Sequence, residues 1–428
     1  MKVAVFGNNL NAGLTLVRAL RRAGADGDLF SMPYSYAQES PEWWSKSFSP
    51  ADAGRVFPRV DLSLRNPLSS IREIGELYGA VSEYDVLVMM EDGPAYFSEL
   101  RGVPKVFLAA GGDIQIIPFL REVVGPDLHA LGASLGRALS DGNWRDVLRT
   151  LPNWMAVRSA NARIEQRQRA GILQCHACIL SPHQGPLATR LGIQPLRVRH
   201  VPFLMDTEVL DEIDTGFAEE LRRTYSGLDL LFFHPTRQFY LPLNNDRYLK
   251  DNDKLIRGYA EFVRTNPRSS RLLLVEKGRA PDLARTRELI AEAGIQDRVD
   301  WMPELPNRKM RAYYALPQCV VCDQFSPNLA MLGNVGREAS FFGRPLITAF
   351  SSMNSLYYGQ DMPEHVFAAQ SATEVKAAMA RLASLDATAL RDLEARSRAW
   401  FLRNHDGTRL IHKYLAVFRD LASASSPS

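Results

Sequence analysis

The 428-residue chain lacks the long hydrophobic runs that indicate membrane or secreted proteins. None of its apolar stretches approaches the ~20 residues that a helix needs to cross a bilayer. Near the N-terminus, the apolar run Val3–Phe6 is short and is followed by polar residues. That pattern is typical of a buried strand and not of a secretion signal. These absences predict a cytoplasmic protein.

An excess of charge of one sign is also missing. The net charge is only +3, which is too small to predict binding to nucleic acid. One locally basic segment contains Arg158, Arg163, Arg167 and Arg169. A solvated helix face is its ordinary explanation, and the alternative is weak peripheral contact with the inner face of a membrane.

Metal-binding patterns are equally scarce. The four cysteines form the pairs Cys175/Cys178 and Cys319/Cys322, each within a strand-like apolar stretch. Side chains three residues apart on a strand point to opposite faces, so neither pair is expected to share a zinc ion. No DxD triplet follows an apolar run, and no two histidines have the i, i+4 spacing. We therefore predict buried free thiols, no metal and no cofactor.

The sequence does contain a repeated alternation of short apolar runs with segments of helical period. This alternation predicts a doubly wound α/β architecture with parallel sheets. The length favours two domains, and an α/β series on both sides of one linker predicts that both are Rossmann-like. The predicted strands are Val3–Phe6, Asp28–Phe30, Val86–Met90, Lys105–Ala110, Ala177–Leu180, Leu230–Phe233, Leu272–Val275, Val299–Met302, Val320–Cys322, Leu346–Thr348 and Val366–Ala368.

The predicted domain boundary lies in the segment VPFLMD, between the two series of strands. It gives a first domain over residues 1–203 and a second over 204–390. Residues 391–428 are expected to form helices that cross back to the first domain, with a disordered tail, SASSPS. Ligands of such folds bind in the cleft at the carboxyl ends of the strands.

The segment DQFSPNLAMLGNVGREASFFGRPLI, residues 323–347, carries the clearest chemical signal. A strand ends before it, and a helix is predicted to begin near Gly333 with Glu338 just over one turn inside. A glycine at a helix N-terminus lets backbone amides approach a phosphate, and a carboxylate there can accept hydrogen bonds from ribose hydroxyls. The alternative is a capping glycine followed by a solvated glutamate.

This half of the chain resembles the retaining, family-four type of GT-B glycosyltransferases, especially the subgroup in which a strand ends in DQF. The resemblance implies two Rossmann-like domains facing a central cleft, and a nucleotide diphosphate sugar as donor. It assigns the ribose contact to Glu338 and the pyrophosphate contact to the amides of Leu332, Gly333 and Asn334. The glutamate that usually touches the donor sugar is replaced by Ala330, for which Asp323 is the candidate substitute.

A second set of residues follows the first strand of the second domain. The resemblance implies that Arg237 and Lys250 bind the diphosphate, whose negative charge grows as it departs. We expect Lys250 to open the next helix, with Lys254 as its rival. Asp251 stands where the family commonly has glycine.

Candidate residues also follow strands of the first domain. In the loop GNNLNAG, Asn8, Asn11 and Gly13 are expected to face the donor diphosphate or the acceptor, or else to cap a helix. Asp113, after two glycines, is expected to hold an acceptor or sugar hydroxyl, unless it is an N-cap. Glu91 is a weaker candidate.

Together these features predict a metal-independent hexosyltransferase that moves a sugar from a nucleotide diphosphate sugar, with UDP expected, to a glycan, a lipid-linked saccharide or a natural product. The resemblance implies retention at the anomeric carbon and a role in bacterial-type polysaccharide or glycoconjugate biosynthesis. Two alternatives stay open. They are a nucleotide-sugar epimerase or hydrolase on the same fold, and a catalytically silent nucleotide-binding partner protein.

Overall fold

The structure, a computed structural model, describes residues 1–33, 41–46, 48, 54–57, 67–122, 134–141, 143–241 and 249–425. The chain divides into two compact units. Unit 1 comprises Met1–Glu39, Ser49–Val201 and Ile411–Ser428, and unit 2 comprises Ser40–Phe48 and Pro202–Leu410. The main break between the units lies between Val201 and Pro202, and the domain boundary after residue 203 stays a prediction.

Unit 1 is built on a parallel sheet with seven strands in the part that the structure describes, in the order β3-β2-β1-β4-β5-β6-β7. Apart from the lysines that begin β1 and β5, its central strands are apolar and buried, as expected for a sheet that is covered on both faces. The strands are β1 (Lys2–Phe6), β2 (Asp26–Ser31), β3 (Arg55–Val56), β4 (Val86–Met89), β5 (Lys105–Leu108), β6 (Ala177–Ile179) and β7 (Val198–Arg199).

Helices connect these strands as parallel crossovers require. They are α1 (Ala12–Arg22) and, after the helix α2 (Pro41–Trp44) of unit 2, α3 (Pro67–Val81), α4 (Gly93–Tyr96), α5 (Gly112–Gln115), α6 (Trp144–Leu173) and α7 (Gly185–Leu191). Residues 134–140 are also helical. The long helix α6 begins after Asn143, whose side chain caps it by accepting a hydrogen bond from the amide of Asp146.

Unit 2 repeats the plan with six parallel strands among its described residues, in the order β10-β9-β8-β11-β12-β13. The strands are β8 (Leu230–His234), β9 (Ser270–Val275), β10 (Val299–Met302), β11 (Cys319–Cys322), β12 (Leu346–Thr348) and β13 (Val366–Ala368). The helices are α8 (Thr207–Asp211), α9 (Thr215–Thr224), α10 (Asp253–Thr265), α11 (Ala280–Ala293), α12 (Asn307–Tyr314), α13 (Asn334–Phe341), α14 (Ser355–Tyr358), α15 (Ala372–Ala383) and α16 (Ala387–Asn404). A last helix, α17 (Gly407–Ser425), begins in unit 2 and belongs to unit 1 from Ile411 onward.

The predicted α/β fold class with two parallel sheets is confirmed. Every predicted strand is present within a residue or two of its expected bounds, whereas the two-residue strands β3 and β7 were not predicted.

The helical end of the chain divides between the units, because Ile411 and the residues after it belong to unit 1. The expectation of disorder from Ser423 onward was wrong for Ser423–Ser425, which belong to α17. Residues 426–428 lie outside the described residues.

The strand order reverses at one point in each sheet. The reversal lies between β1 and β4 in unit 1, and between β8 and β11 in unit 2. Where neighbouring parallel strands send their connections in opposite directions, a crevice opens beyond their carboxyl ends, and ligands of open α/β sheets bind there. The predicted site residues follow these strands. In the described residues, no helix is both long and apolar enough to cross a bilayer.

Candidate functional site

The crevice of unit 2 begins with polar contacts between the ends of β8 and β11. Thr236, beyond β8, donates a hydrogen bond from Oγ1 to Oδ1 of Asp323, beyond β11, at 2.8 Å. His234 is fully buried, and its Nδ1 lies 2.8 Å from the carbonyl oxygen of Cys322. Burial lowers the pKa of His234 to about 4, so the ring is neutral at physiological pH. Nδ1–H then donates to the strand, and Nε2 accepts from the Asn252 amide at 2.6 Å. His234 therefore has a structural role.

Lys250 lies between the loops that follow β8 and β11. Its amide donates to the carbonyl of Phe239 at 2.7 Å, and its carbonyl accepts from the amide of Phe325 at 2.8 Å. Its Nζ donates to Oε1 of Gln324 at 3.2 Å. The expectation that Lys250 opens a helix was wrong, because α10 begins at Asp253.

The residue after Lys250 explains the delayed helix start. Asp251 has φ +53°, in the left-handed region that favours glycine and, next to it, asparagine and aspartate. The resemblance noted in the sequence would place glycine here, and the aspartate meets the same backbone requirement. The Asp251 carboxylate also forms an ion pair with Lys254 at 2.7 Å. The charge of Lys254 is thereby balanced by Asp251, which favours Lys250 over Lys254 as a phosphate ligand.

Two cations of the crevice have no carboxylate partner at ion-pair distance within the described residues. They are Lys250 and Arg237, whose exposed guanidinium lies over the ring of Phe239 at 5.2 Å. Burial and then the nearby Arg237 charge lower the pKa of Lys250, while Asp323 opposes the shift. Since the two cations repel one another, an anion bound here would relieve an unfavourable interaction.

The N-terminus of α13 adds unpaired backbone donors to the same region. Gly333 is the N-cap in an extended conformation, and no side chain caps the helix. Within the described residues, no acceptor receives the amides of Asn334 and Val335, as expected for the first turn of a helix. A side chain on Gly333 would approach Oδ2 of Asp323, since an added Cβ would lie 3.4 Å from that oxygen. Leu332 is buried in the core, so only its backbone is available to a ligand.

Glu338 is buried, and its environment contains groups that the sequence did not indicate. Burial raises the pKa of its carboxyl, and this is opposed first by the Arg311 guanidinium and then by a hydrogen bond from Tyr314. Both partners lie on α12. The alternative of a solvated glutamate is excluded, because only 6% of Glu338 is exposed.

Arg311 is itself fully buried without a direct carboxylate ion pair among the described residues. Its Nη1 donates to the carbonyls of Val209 at 2.6 Å and Trp44 at 3.0 Å. Its Nε and Nη2 have no hydrogen-bond partner among the described residues. Carbonyl oxygens carry only partial negative charge. Among full negative charges, Glu338 stabilises the Arg311 guanidinium most.

At Ala330 the structure offers no side chain that could contact a donor sugar, as the sequence predicts. Ala330 is buried and contributes only its carbonyl, which accepts from Nδ2 of Asn354 at 2.9 Å. Asp323, the candidate substitute, has Oδ1 engaged by Thr236, while Oδ2 points toward the start of α13. Its contact with a sugar stays a prediction.

In unit 1, the loop after β1 is held by its own asparagines. Oδ1 of Asn8 accepts from the amide of Leu14 at 2.8 Å, and Nδ2 of Asn8 donates to Oδ1 of Asn11 at 3.0 Å. Gly13 has no room for a side chain, since an added Cβ would lie 2.1 Å from the carbonyl oxygen of Gly7. These contacts favour the capping interpretation for Asn8 and a packing role for Gly13. Asn11 stays a candidate, because its buried Nδ2 has no partner among the described residues.

Asp113 also lies at the crevice of unit 1, but its carboxylate already accepts hydrogen bonds from backbone amides. Its carboxylate accepts from the amides of Ala110 and Gly111, each at 2.8 Å, from Ile114 at 2.9 Å and from Glu91 at 3.2 Å. It lies inside α5 and is therefore not an N-cap. Burial raises its pKa to about 6, although the four amides oppose the shift. These bonds give Asp113 a scaffolding role, and its contact with an acceptor stays a prediction.

The cysteines were the other candidate ligands for a metal. All four cysteines are buried free thiols, as predicted, and burial raises the pKa of each. In the described ranges, no group of three or more His, Cys, Asp or Glu side chains is arranged to hold a metal ion.

Comparison with known proteins identifies the fold. No family model matches the chain, and no curated protein matches it. Among solved structures, HepE from Anabaena, in complex with UDP-glucose, has a TM-score of 0.64 at 13% identity over 98% of this chain and 100% of its own. Sucrose-phosphate synthase from Thermosynechococcus elongatus has 0.62 at 14% over 99% and 100%. A glycosyltransferase from Rickettsia africae has 0.65 at 11% over 98% of both chains.

The chain has a GT-B fold. This confirms the predicted fold class, whereas the DQF subgroup and the retaining type rest on the sequence alone. The GT-B resemblance supplied Glu338, Gly333, Arg237 and Lys250, but it did not supply Arg311. No spacing rule connects α12 to α13, so only the tertiary structure reveals that partner.

The buried charge of Glu338 generates a stability prediction. Arg311→Leu should lower the free energy of unfolding by about 1–3 kcal/mol at neutral pH, because the carbonyls of Val209 and Trp44 lose a buried donor and Glu338 loses its main opposing charge. Glu338 has a raised pKa in the folded state, so the loss should be largest above that pKa and shrink as the pH falls through it, when a proton neutralises the carboxyl. Urea unfolding across pH measures the effect.

The control is the same substitution in a Glu338→Gln background. There the loss should be smaller and independent of pH, since no charge remains to be compensated. An equal, pH-independent loss in both backgrounds would show that Arg311 acts only through its bonds to carbonyls.

Proposed function

We propose that the protein is a metal-independent glycosyltransferase that transfers a sugar from a nucleotide diphosphate sugar. The proposal rests on one observation, the convergence of complementary groups at the crevice of unit 2. Asp323 interacts electrostatically with Lys250 and with Glu338, and it lies against Gly333. A cation, a free helix N-terminus and a buried carboxylate are thereby grouped, and they match the diphosphate and ribose of one nucleotide.

The donor is proposed to be linked to UDP. HepE, whose structure contains UDP-glucose, shares the fold along nearly the whole chain, and the resemblance of residues 323–347 points to the same class of donor. Hexosyl transfer and retention follow from that resemblance, and the linkage in the product, read by NMR, tests retention. The acceptor is proposed to be a glycan, a lipid-linked saccharide or a natural product.

The chemistry assigned to the crevice is stabilisation of the leaving diphosphate. Negative charge develops on the diphosphate as the bond to the anomeric carbon breaks, and we propose that Lys250, Arg237 and the amides at the start of α13 stabilise it. Binding of the diphosphate would favour the charged form of Lys250, which burial otherwise disfavours. Oδ2 of Asp323 is proposed to accept a hydrogen bond from the donor sugar in place of the glutamate replaced by Ala330.

A second candidate function is supported by Ala330 alone. Without the usual sugar contact, the chain would be a nucleotide-binding protein of GT-B fold that has no transferase activity. Nucleotide binding with no turnover across a broad panel of donors and acceptors would favour this candidate over the enzyme.

The ribose assignment predicts the behaviour of Glu338→Ala. This variant should bind UDP about 10- to 100-fold more weakly, because one or two charge-assisted hydrogen bonds of about 1.5–3 kcal/mol are lost. Isothermal titration calorimetry measures the affinity. Glu394→Ala removes a partly buried glutamate of unit 2 that contacts Arg344; it serves as the control and should bind normally. Unchanged affinity in Glu338→Ala would refute the ribose role.

The diphosphate assignment predicts a difference between two neighbouring lysines. Lys250→Met should lower kcat by about 100-fold, since a cation that stabilises developing charge is worth roughly 2.7–4 kcal/mol. Lys254→Met should change kcat little, because Lys254 is paired with Asp251. Steady-state kinetics with UDP-glucose and trial acceptors provides the measurement. Equal effects of both substitutions would contradict the assignment.

A further inference from the structure

The N-terminal half of α6 carries an apolar stripe that faces solvent. Trp144, Leu148 and Met155 have 68%, 71% and 57% of their surface exposed, and Leu151 between them is partly buried. Their spacing of four, three and four residues places them on one face of the helix. Single exposed apolar residues are common, but a row of large ones on one helix face marks a contact surface.

The other half of the same helix is anchored in unit 1. Gln168 accepts a hydrogen bond from the amide of Ala95 at 3.1 Å and donates to the carbonyl of Glu91 at 2.8 Å. Gly171 packs directly against the backbone of Pro94. The stripe is therefore presented by a helix whose other end is held by unit 1.

Positive charge flanks the stripe. On the helix, Arg145 and Arg158 lie on opposite sides of the row of apolar residues, and both are exposed. The guanidinium of Arg158 lies over the ring of Trp154 at 5.0 Å. The ion pairs of α6 among the described residues are formed at its other end by Glu165, Arg167 and Arg169. None of the described residues forms an ion pair with Arg145 or Arg158. Residues 134–163 contain five arginines and two aspartates.

We propose that this stripe is a docking surface for a membrane that contains anionic lipids. Trp144, Leu148 and Met155 would enter the boundary between headgroups and acyl chains, and Arg145 and Arg158 would contact lipid phosphates. The charge distribution decides against a second copy of the chain as the occupant. A two-fold contact through this face would bring the arginines of both copies together.

The proposal does not depend on the proposed transferase activity. The sequence alone pointed to arginines from Arg158 to Arg169, for which a solvated face was the ordinary explanation. Arg167 and Arg169 are in fact engaged, since they donate to the carbonyls of Ala95 and Pro118. The membrane contact is therefore assigned to the opposite end of the helix, where exposed apolar side chains accompany the charge.

Cosedimentation of the full chain with lipid vesicles tests the proposal. One set of vesicles contains phosphatidylcholine alone, and the other contains phosphatidylcholine mixed with phosphatidylglycerol. The wild type should bind the anionic vesicles and bind the neutral ones much more weakly, and added salt should weaken the anionic binding. Leu148→Ser/Met155→Ser should reduce the partition coefficient at least about 10-fold, because two apolar side chains no longer enter the interface.

A matched control is available elsewhere on the surface. Leu196 and Leu356 have 72% and 57% of their surface exposed, so Leu196→Ser/Leu356→Ser removes a similar exposed apolar area outside the stripe and should bind like the wild type. Circular dichroism and thermal unfolding check that both variants are folded. The proposal is overturned if the wild type fails to bind anionic vesicles, or if both double variants bind equally. It is also overturned if sedimentation velocity shows a wild-type dimer that only Leu148→Ser/Met155→Ser dissociates.

Discussion

Parallel pairing of β8 with β11 is the constraint on which the candidate site depends. The two strands are distant in sequence, yet they are neighbours in the sheet, with Phe232 opposite Val320. Because both strands run in the same direction, their carboxyl ends open at one edge, where the chain places Thr236 and Asp323 in hydrogen-bond contact. The loop that holds Lys250 then bonds to both strand extensions through its backbone. The positions of Thr236, Asp323 and Lys250 in the crevice are therefore determined by the pairing of the strands and by main-chain hydrogen bonds.

The site also brings buried charges of both signs together. Two carboxylates, Asp323 and Glu338, and two buried or partly buried cations, Lys250 and Arg311, share a small region with low access to water. Burial disfavours the charged form of Lys250 and of Glu338, and each is partly supported by an opposite charge. Burying these charged groups costs free energy when no ligand is bound. A ligand that carries both phosphates and hydroxyl groups fits the site, because its phosphates would pair with the cations and its hydroxyls would donate to the carboxylates.

Much of the fold could be predicted from the sequence, because buried parallel strands are continuous apolar runs that are visible without the structure. The exceptions have physical causes. The strands β3 and β7 are two residues long and show no period. Arg311 was missed because it reaches Glu338 only through the packing of α12 near α13. Asp113 was correctly placed at a strand end, but its four amide donors depend on how the loop folds back, which composition does not reveal.

The most direct test of the account is an experimental structure of the protein with UDP. We expect the ribose hydroxyls at the Glu338 carboxylate, and the diphosphate between Nζ of Lys250 and the amides of Gly333 and Asn334. UDP bound only at the crevice of unit 1, near Asn8 and Asn11, would contradict it. So would UDP in unit 2 with its diphosphate away from the start of α13.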